Sequence, residues 1–375
     1  MAKQAQLLKT LTVKGCHRLL AKGRAIIRRV GFDKEDLGSD AFDSWSQLGN
    51  RSGFGDLALP NSFDFHLHYE DAVDPKIDKP ERIVLTTHGS PGSHSDFKYL
   101  VPVLTSGGGG FRMLNLNWPE HGYSRVSDDT EYFYCQSSDE RSEILEAFLK
   151  ELGINKVDVM VGHSFGCYPL MAFAADESYR SMTNAVMLVN CGGPTPHKSI
   201  RPYSLFQALA AMSYHPTFGW TARKLFYLGS RLAGLKVPSA DSAANNLMVI
   251  AHLGYPQLPQ RLEILRTDRN TPRVLYVYSE DDFLIEPSSS ESLVRALGCP
   301  SPVVGYEEGA VKKVEKWWNG WNSKHGGNET KNLAVTFGTN LCNSDVMLEY
   351  RLLVAIIGLS SLLYHDEKRQ GSGTV

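Results

Sequence analysis

The sequence predicts an α/β fold, a doubly wound and mainly parallel sheet that carries a helical lid insertion. From residue 63 onward, short apolar runs bounded by turn residues alternate with helix-length segments, which is the pattern of βαβ units. A long stretch from 194 to about 260 breaks this alternation with helical apolar spacing. A G-x-S-x-G stands directly behind one of the apolar runs.

The first thirty residues carry Lys3, Lys9, Lys14, Arg18, Lys22, Arg24, Arg28 and Arg29 before the first acid, Asp33. Leu8, Leu11, Cys16, Leu19, Leu20, Ile26, Ile27 and Val30 recur at near-helical spacing, so a basic amphipathic helix is expected. Such a helix suits a mitochondrial presequence or peripheral contact with an anionic membrane; a solvated helical arm is the other reading. The stretch holds no serine, unlike most presequences, and no secretory apolar core. A cytoplasmic or mitochondrial location is expected, not a secreted one. Residues 1–55 are read as this segment and its linker, 56–193 and 266–366 as the two parts of the core, 194–265 as the lid and 367–375 as a polar tail.

Residues 63–69 alternate strictly between apolar and polar, as a half-buried strand does. Apolar runs follow at 83–87, 113–116, 157–161, 185–189, 274–278 and 333–337. Leu205, Leu209, Trp220, Leu225, Phe226, Leu232, Leu247 and Ile250 give the insertion its helical spacing. Its place in the chain lets it close over the carboxyl ends of the strands, where ligands bind in such folds. Extra helices that only thicken the core are the alternative. The longest apolar stretch, 352–364, is shorter than the roughly 20 residues of a membrane span and is read as a buried terminal helix.

Composition narrows the function. A formal net charge of -2 offers no global field for nucleic acid, and 42% hydrophobic residues suffice for one large core. Cys16, Cys135, Cys167, Cys191, Cys299 and Cys342 stand singly, with no C-x-x-C pair and no histidine cluster at zinc spacing. A reducing compartment, no metal and no cofactor are expected.

Gly162-His163-Ser164-Phe165-Gly166 joins the run at 157–161 to a helix-like segment. A turn this sharp strains the serine backbone and crowds its neighbours, so small residues are needed two positions to either side. Ser164 is the candidate nucleophile. His88-Gly89-Ser90-Pro91-Gly92 follows the run at 83–87 and can give an oxyanion hole its second N–H, the first coming from the residue after the nucleophile. Pro91 has no N–H to give, which selects Ser90 and Phe165 as donors.

These motifs resemble those of the α/β-hydrolase family, of the type with an HG-x-P oxyanion loop. The chain is particularly similar to an invertebrate group, abundant in nematodes, that pairs HGSPGSH-DFKY with a following N-x-P-x-x-G. Here these stand at residues 88–100 and in Asn117-Trp118-Pro119-Glu120-His121-Gly122-Tyr123-Ser124. The resemblance runs over roughly 63–364. It implies an α/β-hydrolase fold and a Ser, acid, His triad, and it implies no particular substrate.

The family holds its acid at the end of the seventh strand, where a carboxylate orients the histidine and stabilises its cation. Tyr278-Ser279-Glu280-Asp281-Asp282-Phe283-Leu284-Ile285 resembles the family's G-x-x-D-x-L-I with Ser279 for the glycine. This selects Asp282, with Asp281 second. The family's base follows the last strand, but residues 338–344 contain no histidine, and Cys342 stands near that place. Chain order leaves His325 and His365 after Asp282, and neither matches the motif. His325 is taken as the base by elimination.

Two functions follow. One is a serine hydrolase cleaving an ester or similar acyl bond of a largely apolar small molecule. The alternative is a catalytically impaired protein of the same fold that binds a ligand or partner in the same cleft. Epoxide and haloalkane hydrolases need an aspartate at the nucleophile position of this turn, the elbow, where this chain has Ser164.

Overall fold

The computed structural model describes residues 63–73, 80, 82–98, 100–106, 111–126, 136–213, 215, 217–232, 234–235, 237–300, 302–304 and 332–337, and the main chain of 7–15. The strands are β1 Leu7–Gly15, β2 Phe63–Val73, β3 Arg82–Thr87, β4 Phe111–Leu116, β5 Arg125–Val126, β6 Val157–His163, β7 Thr183–Val189, β8 Arg273–Ser279, β9 Val303–Val304 and β10 Leu333–Phe337. The helices are α1 Leu100–Ser106, α2 Ser138–Glu151, α3 Cys167–Ala175, α4 Tyr203–Ser213, α5 Gly219–Leu232, α6 Ala240–Ala251, α7 Leu258–Thr267 and α8 Pro287–Ala296. All seven expected runs are strands.

One sheet takes them in the order β1-β2-β4-β3-β6-β7-β8-β10-β9, with β5 on β2. From β4 to β9 the pairing is parallel, and β2 is antiparallel to its neighbours. The parallel strands are buried on both faces, which is why they read as continuous apolar runs. Along β8, Val274, Tyr276 and Tyr278 enter the core layer that includes residues of α2, α3, α7 and α8, while Leu275 and Val277 face the layer with Phe97 and Leu100. Ser137 caps α2 in a capping box with Glu140 and so fixes where that helix begins.

The N-terminal segment corrects the expectation of a helix. Residues 7–15 form β1, antiparallel to β2 from the pair Leu7 and Asp71 to the pair Gly15 and Phe63. Thr10, Thr12 and Val13 are β-branched, and β2 otherwise offers an edge of unpaired N–H and C=O groups, so pairing outweighs the helical spacing of the leucines. The remainder of the expected helix, and the expected terminal helix at 352–364, lie outside the described residues.

Between β7 and β8 the chain forms α4, α5, α6 and α7, where the helical insertion was expected. The first three close around Ala210, Leu247, Met248 and Ala251, with the Phe206 and Phe226 rings edge-on at 6.3 Å. Among the described residues no helix is long and apolar enough to cross a membrane.

Candidate active site

β6 ends at His163, and a single 3₁₀ turn, Ser164–Gly166, leads straight into α3. Ser164 has φ 51°, in the left-handed region that a side chain normally avoids. A Cβ on Gly166 would stand 2.4 Å from the carbonyl oxygen of Thr87 and 2.6 Å from that of His88. One on Gly162 would stand 2.9 Å from the Gly166 carbonyl oxygen. Both glycines are therefore steric requirements of the turn, and the expectation from the motif is met in backbone terms.

β3 runs beside β6 and delivers the His88 loop to this turn. Thr87 Oγ1 donates to the Gly166 carbonyl at 3.1 Å, and a Cβ on Gly89 would lie 3.0 Å from Ser164 Cβ. His88 is fully buried: its Nε2 accepts the Trp118 backbone N–H at 3.1 Å, so Nδ1 carries the proton and donates to the Gly89 carbonyl at 2.7 Å. Burial, aided by the neighbouring His121, holds its pKa well below the ordinary imidazole range. His88 is thus a neutral strut for the loop, a role the sequence reading did not assign. No acceptor among the described residues takes the Ser90 backbone N–H. The N–H of Phe165 lies in the first turn of a helical segment, where such groups lack an intrahelical acceptor.

The Ser90 side chain reaches the insertion. Its hydroxyl donates to Asn246 Oδ1 on α6 and lies 3.2 Å from His121 Nε2. His121 Nδ1 lies 3.0 Å from the Pro119 carbonyl, and Asn245 donates to the Glu120 carbonyl at 3.1 Å. Burial, with the charge of Arg141, lowers the His121 pKa to about 3, so this ring is neutral. Asn246 and His121 escaped the sequence reading because their relation to Ser90 is purely tertiary.

At the end of β8, Asp282 Oδ1 accepts the N–H groups of Leu284 at 2.8 Å and Ile285 at 3.0 Å. Asp281 is exposed, and its N–H donates to Ser279 Oγ at 3.1 Å. Asn190 Oδ1 accepts the Ser279 N–H at 3.0 Å and so ties the end of β7 to the end of β8. The Asp282 charge bears on two imidazoles, His163 and His197, and favours the cation of each. Burial opposes it and prevails in both, lowering His163 to about 4. His197 Nδ1 lies 3.1 Å from the Leu284 carbonyl, and its ring stacks on Phe165 at 6.2 Å. The sequence signal for His197 was its position in the loop leaving β7, at the carboxyl edge of the sheet.

That edge therefore collects Ser90, Ser164, Phe165 and Asp282 from the ends of β3, β6 and β8. His325, taken as the base, lies outside the described residues, as do His365 and Cys342. Among the described residues no group of three or more His, Cys, Asp or Glu could hold a metal ion.

The family model described as alpha/beta hydrolase of unknown function matches residues 60–326. An uncharacterised protein of Caenorhabditis elegans is 26% identical over 219 residues, 56% of this chain and 59% of that protein. The chain thus spans about three fifths of the length of that relative. Among solved structures, a putative ancestral haloalkane dehalogenase superposes with a TM-score of 0.55 at 14% identity, over 82% of this chain and 99% of its own. A carboxylesterase from the thaumarchaeon Nitrososphaera gargenis gives 0.53 at 11% identity, over 82% and 99%. At such identities the likeness to these structures is one of fold.

Proposed function

Since the chain belongs to the alpha/beta-hydrolase family whose model matches 60–326, we propose that it is a serine hydrolase that cleaves an ester or similar acyl bond of a largely apolar small molecule. The observation that carries this reading is the φ of 51° at Ser164 between two sterically obligatory glycines, because that backbone lifts a side chain out of the strand-to-helix turn. Serine at this position makes an acyl-enzyme the natural intermediate.

In this reading Ser164 Oγ attacks the acyl carbon while the base accepts its proton. The carbonyl π pair moves onto oxygen, and the backbone N–H groups of Phe165 and Ser90 hold that oxyanion. Collapse expels the alcohol, which takes the proton back from the base. Water then attacks the acyl-enzyme by the same route and restores the serine. Asp282 orients the base and stabilises its cation, and its remaining carboxylate oxygen is suited to that because Oδ1 is engaged by the turn. Chain order leaves His325 and His365, and by elimination His325 is the base in this reading. The insertion acts as the lid, and its aliphatic and aromatic residues favour an apolar acyl group.

A second reading, a catalytically impaired binding protein, rests on the histidine-free sequence at 338–344. Labelling with a fluorophosphonate probe separates the two. Covalent labelling of the wild type that is lost in Ser164→Ala supports the hydrolase, since only an activated serine reacts. A wild type that stays unlabelled where a control hydrolase reacts rejects it.

A further inference from the structure

The helix α5 is apolar on two sides. Its inner side places Ala222 and Phe226 toward the insertion, Phe226 against the small cluster around Leu247. Its outer side carries Trp220, Leu228 and Leu232 at four- and eight-residue spacings, with Leu225 beside them, and these are 66%, 55%, 80% and 63% exposed. Phe218, just before the helix, is 59% exposed. A lid helix facing only water would show its polar residues there, and a contiguous exposed apolar face marks an interaction site.

The charge on this face identifies the partner. Lys224 and Arg231 lie on the same helical side and are exposed, and Lys224 sits over the Trp220 ring at 5.9 Å. No Asp or Glu occurs anywhere between Glu177 and Asp241, whereas Lys198, Arg201, Arg223, Lys224, Arg231 and Lys236 all do. Of these, Lys224 and Arg231 stand among the exposed apolar residues of α5, while Arg201 pairs with Glu286 and Arg223 with Asp241. Aliphatic side chains and a tryptophan can enter the acyl boundary of a bilayer, while lysine and arginine stems extend past them to lipid phosphates. Interleaved cations of this kind disfavour self-association, since a second copy would bring like charges together.

We propose that the outer face of α5 docks on an anionic phospholipid surface. The contact is peripheral and sets against the membrane the insertion, whose Asn246 holds the Ser90 loop beside Ser164. It is independent of the catalytic reading, because adsorption needs no chemistry at Ser164.

The test is flotation of the full chain with vesicles of phosphatidylcholine, alone or mixed with phosphatidylserine. Flotation is expected with the mixed vesicles, reduced at high salt, and weakened about fivefold for each of Lys224→Gln and Arg231→Gln. Trp220→Ser combined with Leu228→Ser should also weaken it, with an unchanged melting temperature because both side chains are exposed. Hydrogen exchange on the wild type should show the amides of α5 slowed by mixed vesicles, which keeps the test valid if a variant misfolds. Absence of flotation, full flotation of the folded variants, or unprotected α5 amides overturns the proposal. So does a dimer in solution that the same variants convert to monomer, since a second copy would then own the face.

Discussion

Ser90 donates its hydroxyl hydrogen to Asn246 Oδ1, which joins the loop after β3 to a helix of the insertion 156 residues further along the chain. The residue whose backbone N–H is proposed for the oxyanion hole is therefore positioned by the insertion as well as by the sheet. Ser90→Ala leaves two buried polar side chains, Asn246 and His121, without that hydroxyl. A loss of about 1–3 kcal/mol in urea unfolding is expected. Ester turnover should fall by up to about 100-fold as the loop loses its position, although the Ser164 hydroxyl and the backbone N–H of residue 90 are both retained. Unchanged stability and unchanged turnover would show that the link holds nothing.

Gly166 and Gly229 make a matched pair. A Cβ on Gly166 would meet two backbone carbonyls below 3 Å, and backbone cannot swing aside as a flexible side chain does. Gly166→Ala should cost about 3 kcal/mol or more in unfolding free energy and remove activity with it. Gly229 lies within α5 with nothing inside 4 Å of its added Cβ. Gly229→Ala should stabilise by up to about 1 kcal/mol, the helix preference of alanine over glycine. Equal effects from the two would contradict the steric account of the elbow.

The same contrast separates what the sequence reveals from what it conceals. Runs such as 185–189 are legible because parallel strands bury both faces and leave an unbroken apolar signature. The strand-to-helix turn at Ser164 is legible because the glycines that meet its steric needs lie within five consecutive residues, even though the carbonyls that require Gly166 belong to Thr87 and His88. β1 is not: Leu8 and Leu11 fit a helical stripe, and only the available edge of β2 decides for a strand. The Ser90 and Asn246 link, the strut role of His88 and the approach of His197 to Phe165 depend on how distant segments meet, which no local spacing encodes.

His121 provides a pH test with a definite sign. Its folded-state pKa is about 3, below the ordinary value of about 6.5 that it recovers on unfolding. The unfolded chain therefore binds this proton first as pH falls. The contribution to stability is complete above about 6.5 and is lost progressively toward 3. In His121→Gln, which removes the titration, urea midpoints should decline less steeply across that window than in the wild type. Parallel curves for the two proteins would exclude His121 as a source of the acid loss.

Because β1 covers the edge of β2, removing residues 1–15 should expose a row of N–H and C=O groups on a strand of eleven residues. A lower melting temperature and increased light scattering on heating are expected. A truncated protein as stable and as dispersed as the full chain would mean that β1 adds nothing to the sheet.

His325 is the base of the proposed mechanism. If His325 fills that role, the rate should follow one ionisation near the ordinary histidine value of about 6.5, at or above it where the Asp282 carboxylate favours the cation. Triad members act as a unit, so His325→Ala should reduce turnover about as far as Ser164→Ala, and the double variant should lose little more. His365→Ala should be almost silent. His197 offers the informative comparison, because it is a described imidazole that feels the Asp282 charge and lies against Phe165. Its Nδ1 can donate to the Leu284 carbonyl, which leaves Nε2 as the acceptor a base requires. His197→Ala should lower stability through the lost stacking while keeping the pH profile of the wild type. Loss of turnover in His197→Ala to the level of Ser164→Ala, with full activity in His325→Ala, would transfer the role to His197 and break the usual Ser, acid, His order.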